Sequence, residues 1–87
     1  MIRPGDIVIS KAGRDKGRPL IVLENIDENF VLLVDGDLRP LEKPKKKKLL
    51  HLQRTNKMTE KLDEARASKN NALLRKELQR LMPRKGS

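Results

Sequence analysis

The sequence predicts a mainly β domain, five short strands forming a small barrel, followed by two short helices. Three observations carry this expectation. Up to about Leu52, Val, Ile and Leu cluster in short runs bounded by Gly, Pro, Asp and Asn, the pattern of strands and turns. After Thr55, Val and Ile vanish and Ala, Leu, Lys, Glu and Arg dominate, the composition of helix. Five short strands in about fifty residues suit a small closed sheet.

The strands follow in order. The first spans roughly Asp6–Ser10, entered through Pro4-Gly5. The loop Lys11–Arg18 leads to a second, Pro19–Ile26, and the turn Asp27–Asn29 to a third, Phe30–Val34. Asp35-Gly36-Asp37 then reads as a hairpin turn, followed by a fourth strand over Leu38–Glu42. Lys43-Pro44 interrupts, and a fifth strand over Lys46–Leu52 closes the sheet. The near-continuous apolar runs call for strands covered on both faces, or on one face by the tail.

The tail divides in two. Met58, Leu62 and Ala65 follow helical spacing, as do Leu74, Leu78 and Leu81. At ~100° per residue, Leu62 and Leu78 are about 160° apart around a single helix. One straight helix would therefore carry its two apolar stripes on opposite sides. Ser68-Lys69-Asn70-Asn71 lies between them, and Ser and Asn are good N-caps. Two helices, 57–67 and 71–82, are expected, with Pro83 as a stop and Arg84–Ser87 frayed. This divides the chain into a barrel, 1–54, and a basic helical extension, 55–87.

Composition narrows the function. The 87 residues carry 21 Lys and Arg against 12 Asp and Glu, a formal charge of +9. That excess calls for a polyanionic partner. No apolar run approaches the roughly 20 residues that span a bilayer, and Met1–Gly5 lacks a signal-peptide core, so no membrane partner is expected. The absence of cysteine fits the cytoplasm. Phe30 is the single aromatic residue and is expected in the core. Readers of extended single strands stack bases on exposed aromatics, so phosphates, sugars and shape must carry recognition, which favours structured RNA.

The loop Lys11–Arg18 is the central feature. Gly13 and Gly17 punctuate it, and Lys11, Arg14, Lys16 and Arg18 lie in or beside it. Glycines let a ligand approach the backbone, and the cations can meet phosphates. The plain alternative is a hairpin loop with solvated charges. Lys43, Lys45, Lys46, Lys47 and Lys48, with Arg39 before them, form a second positive field. In a strand, alternate lysines face opposite sides, so two or three would meet one RNA backbone. Lysines also protect an exposed edge strand, and the two readings are compatible. The tail carries nine cations against four acids. It reads equally as an amphipathic appendage on the barrel or as an arm for RNA or a neighbouring protein.

These residues resemble a known motif. Gly5-Asp6-Ile7-Val8-Ile9, then Lys11-Ala12-Gly13-Arg14-Asp15-Lys16-Gly17, then Ile21-Val22-Leu23, look like a KOW motif, with Gly17 matching its glycine. KOW modules occur in large-subunit ribosomal proteins and NusG-type transcription factors. Val34-Asp35-Gly36 and the basic closing strand through His51-Leu52 extend the likeness to residues 3–54. The closer resemblance is to bacterial KOW-domain RNA-binding proteins related to the archaeal and eukaryotic fourteen-e type large-subunit ribosomal protein. The resemblance implies an SH3-like barrel, ribosomal RNA as partner and a place in a ribonucleoprotein, with ribosomal proteins as neighbours. It does not extend over 55–87.

Other chemistries find no residues. His51 is the only histidine, with neither Cys nor carboxylates at ligand spacing, and is read as a half-buried strand residue rather than a metal ligand. Asp35, Asp37 and Glu42 are read as turn chemistry. Ser10 lacks a base partner. The expectation is a non-enzymatic protein without cofactor, metal or small-molecule substrate, monomeric when free. The competing expectation is an interaction or transcription/translation adaptor using the barrel and the leucine-striped tail. A proline-peptide groove would need aromatic walls that one Phe does not supply.

Overall fold

A computed structural model describes residues 1–83; the expected fraying of Arg84–Ser87 lies outside the described residues. The chain forms strands β1 (Asp6–Ser10), β2 (Pro19–Asn25), β3 (Phe30–Val34), β4 (Lys45–Lys48) and β5 (Leu52–Met58), then helices α1 (Leu62–Ser68) and α2 (Asn71–Leu81). The strands make one antiparallel sheet in the order β4-β3-β2-β1-β5. No described helix is long and apolar enough to cross a membrane.

The apolar runs fill both faces of this sheet, because successive strand residues point to opposite sides. On one face Ile7, Ile21, Leu23 and Val34 pack with Leu62 and Ala65 of α1 and Leu74 and Leu78 of α2. On the other, Val8, Leu20, Val22, Val31 and Leu33 pack with Ile2 and Leu52. The tail therefore covers one face of the sheet. The phase break between its stripes is resolved at Lys69, which takes a left-handed conformation (φ 52°) and turns the chain between the helices. Asn70 then caps α2, its side chain accepting from the Leu73 N–H at 3.0 Å. The boundary drawn at residue 54 falls inside β5.

Three expected elements differ. The strand over Leu38–Glu42 does not form, because Asp35 organises that segment as a turn. Asp35 Oδ1 accepts from the N–H groups of Asp37 and Arg39, both at 2.8 Å. The Arg39 carbonyl accepts in return from the Asp35 N–H, and the Leu41 N–H is taken by Asn71 Oδ1 at 2.8 Å. With Pro40 and Pro44 donating nothing, little backbone is left for a ladder. The strand expected over Lys46–Leu52 is instead two strands, β4 and β5, separated by a 3₁₀ turn at Leu49–His51. Because β5 runs on to Met58, the first helix begins at Leu62 rather than 57.

Gly36 is where α2 meets the sheet. Its φ is +78°, and a Cβ there would collide with the Asn71 carbonyl oxygen and crowd Arg75 and Leu74. Arg75 Nη1 donates to the Gly36 carbonyl. At the other side, buried Glu77 ties α2 to the segment after β5. Thr59 Oγ1 donates to Glu77 Oε1 at 2.6 Å, and Arg80 donates to both carboxylate oxygens at 2.8 and 3.0 Å. The Arg80 hydrogen bonds, aided by Thr59 and opposed by burial, hold the Glu77 carboxyl down at about 2.

Candidate nucleic-acid interface

The loop between β1 and β2 is built by its own backbone. The Gly17 N–H donates to the Ser10 carbonyl at 2.7 Å and the Ser10 N–H to the Arg18 carbonyl at 3.1 Å, closing the base. Inside it, Lys16 N–H donates to the Gly13 carbonyl and Arg18 N–H to the Asp15 carbonyl, making successive turns. Gly13 and Gly17 hold φ of 76° and 83°, which residues with a Cβ adopt only at a cost.

Asp15 anchors the loop to the rest of the molecule. It is buried, and its carboxylate lies 3.0 Å from Arg39 Nη2 and 3.7 Å from Lys47 Nζ. Lys47 also donates to the Ala12 carbonyl at 2.8 Å. Burial pushes the Asp15 carboxyl up, but the Arg39 hydrogen bond and the positive fields of Arg39, Lys47 and Lys45 outweigh it. The group is held below the ordinary carboxylate value, so it stays charged.

This anchoring sorts the candidate cations. Lys11, Arg14 and Lys16 of the loop stay exposed, as do Lys43, Lys46 and Lys48. Arg18, Arg39 and Lys45 are half-buried; Arg18 lies 3.8 Å from the Asp35 carboxylate, and Arg39 keeps a buried Nε without a hydrogen-bond partner. Lys47 is buried, only 9% exposed, and its ammonium is spent inside the protein. Register explains the split within β4. Lys45 and Lys47 stand opposite Leu33 and Val31, on the face with the second apolar cluster. Lys46 and Lys48 stand opposite Leu32 and Phe30.

Phe30 is not in the core. It is half-buried on the sheet surface, with Lys46 Nζ 4.7 Å and Lys48 Nζ 5.9 Å from its ring centroid. Such cation–π contacts are worth about 0.5–1 kcal/mol at exposed sites, and they spread the two ammonium groups over one patch.

Sequence reasoning left Arg54 out of the candidates and placed Lys57 on a helix rather than a strand. β5 is an edge strand of the sheet, and its Arg54 and Lys57 are exposed. His51, expected to be half-buried in a strand, is exposed in the 3₁₀ turn. Its carbonyl accepts from the Lys11 N–H at 2.8 Å, which places the loop beside the start of β5. Leu52–Met58 lacks an apolar run; the available signal was the return of polar residues around Thr55, whose hydroxyl donates to the Ile7 carbonyl at 2.6 Å.

Among the described residues no group of His, Cys, Asp and Glu could hold a metal ion. In comparisons with known proteins, no family model matches the chain and no curated protein matches it significantly.

Proposed function

We propose that this protein is a cytoplasmic, non-enzymatic RNA-binding protein of SH3-like, KOW type, associated with the ribosome through structured ribosomal RNA. The observation that carries the reading is the inward pin on Asp15. It sets the loop so that Lys11, Arg14 and Lys16 project to solvent while the one loop carboxylate is neutralised internally. A loop with its acid withdrawn and its bases presented is a phosphate-contacting surface. Lys46 and Lys48 add a second patch. The meander of β1 to β4, with β5 returning to pair with β1, supports the SH3-like reading.

The adaptor alternative, which uses the barrel and the leucine-striped tail, draws less support: Leu74 and Leu78 of that stripe are buried against the sheet and Leu81 is half-buried.

Sedimentation of cell lysate on a gradient at low and high salt tests the ribosomal part. The protein is expected to co-migrate with the large subunit at low salt and to leave it as salt rises. A position only at the top of the gradient at both salts refutes ribosome association.

A further inference from the structure

We infer that the cleft between the loop base and α2 receives a single unpaired nucleobase from the RNA that the loop grips. The inference rests on the RNA-binding reading and adds to it a recognition site distinct from the phosphate contacts.

The cleft has a volume of about 680 Å³, within the range of roughly 300–1,000 Å³ typical of small-ligand sites. Its apolar lining includes Pro19, Leu78 and Met82. Gly17 lines it too, and an added Cβ there would meet nothing within 4 Å. The space beside this peptide is open to a flat ring.

Two guanidinium groups line the same space. Arg75 is held by its bond to the Gly36 carbonyl, and Arg18 is steered by the Asp35 carboxylate. Unstacked RNA bases stack on arginine planes as well as on aromatic rings. This offers a chain with one aromatic residue a stacking surface it otherwise lacks.

The rim distinguishes a base from a phosphate. Asp37 and Gln79 line the cleft and are both exposed. A carboxylate beside the opening repels a phosphate, yet it accepts from the amino and imino groups of a base edge. The Gln79 amide can both donate and accept. A lining that joins apolar side chains to exposed donors and acceptors suits a heteroaromatic ring, while Arg14 and Lys16 on the same loop are left for the flanking phosphates.

The test uses the full chain and a stable blunt-ended RNA duplex of two strands, either fully paired or carrying one bulged A, G, C or U. Affinity is measured by fluorescence anisotropy, and the Leu78 and Met82 methyl resonances are followed by NMR. At least one bulged duplex is expected to bind about tenfold tighter than the paired one, with methyl shifts seen only for the bulged RNA. The double variant D37A/Q79A, at exposed positions, is expected to cut that preference to about twofold or less. Equal affinities with unmoved methyl resonances would overturn the cleft assignment and leave the loop contacts standing. Absence of binding to any of these RNAs at low salt would overturn the RNA reading and the cleft together. A preference that survives in the double variant would place the base elsewhere.

Discussion

The carboxylate of Asp15 and the guanidinium of Arg39, 24 positions apart in the chain, meet at 3.0 Å. This pair joins the loop after β1 to the turn after β3, and Lys47 of β4 completes it at 3.7 Å. A buried acid between two cations explains how a strongly basic loop holds one shape. Removing the acid leaves Arg39 and Lys47 without their counter-charge, at a cost of the order of 2 kcal/mol. Asp15→Ala should lower the urea midpoint accordingly and loosen the loop, seen as faster amide exchange at Lys16 and Gly17.

The lysines of β4 divide by function. Lys46→Ala with Lys48→Ala should weaken RNA binding and flatten its salt dependence by about 1 to 2 in log–log slope, with a stability loss limited to the Phe30 contacts, about 1 kcal/mol. Lys47→Ala should do the reverse, lowering the urea midpoint because its ammonium bonds the Ala12 carbonyl and faces Asp15. Urea titration and anisotropy on the two variants separate these effects.

Two glycines of similar φ should respond differently. Gly17→Ala meets no neighbour, so it pays only the left-handed backbone cost, about 1 kcal/mol. Gly36→Ala pays that cost and also drives a methyl into the Asn71 carbonyl of α2, for a loss of about 3 kcal/mol or more. Thermal unfolding of both variants measures the difference.

Glu77 makes stability depend on acid. Its carboxyl is held at about 2 in the folded protein against an ordinary 4.5. A depressed folded value means the unfolded chain takes up the proton first. The contribution is therefore complete above about pH 4.5 and is lost as pH falls toward about 2. Because Arg80 is largely exposed, the loss should be of the order of 1–2 kcal/mol. Glu77→Gln should be less stable at pH 7 and should lose less than the parent between pH 5 and pH 2 in melting experiments.

Much of this architecture is legible in the residues themselves. Asp6–Ser10 and Phe30–Val34 are compact apolar runs with clear punctuation, and they form β1 and β3 as read. The phase break at Asn70 separates α1 from α2 because helical periodicity is a local signal. Long-range partners are not local. Leu38–Glu42 follows an Asp-Gly hairpin signal, but Asp35 and Asn71 take its backbone N–H groups. Lys47 reads like its neighbours in a run of lysines, and only the register of β4 on β3 and the distant Asp15 bury it. Glu77 counts as a surface acid until α2 docks and delivers it to Thr59. In the site, the exposed loop cations are legible in the sequence, while the placing of Arg54 and Lys57 on an edge strand depended on a strand continuing through polar residues.

The most direct test of the loop as the contact surface is the salt dependence of binding to structured RNA, for the parent and for K11A/R14A/K16A. These three side chains are exposed, so the folded state should keep its urea midpoint. With about six phosphate contacts the parent should show a slope near −4 to −5 in log K against log salt. The triple variant should bind more weakly, with a slope flatter by about 2 to 3. An unchanged slope and affinity in a folded triple variant would contradict the account.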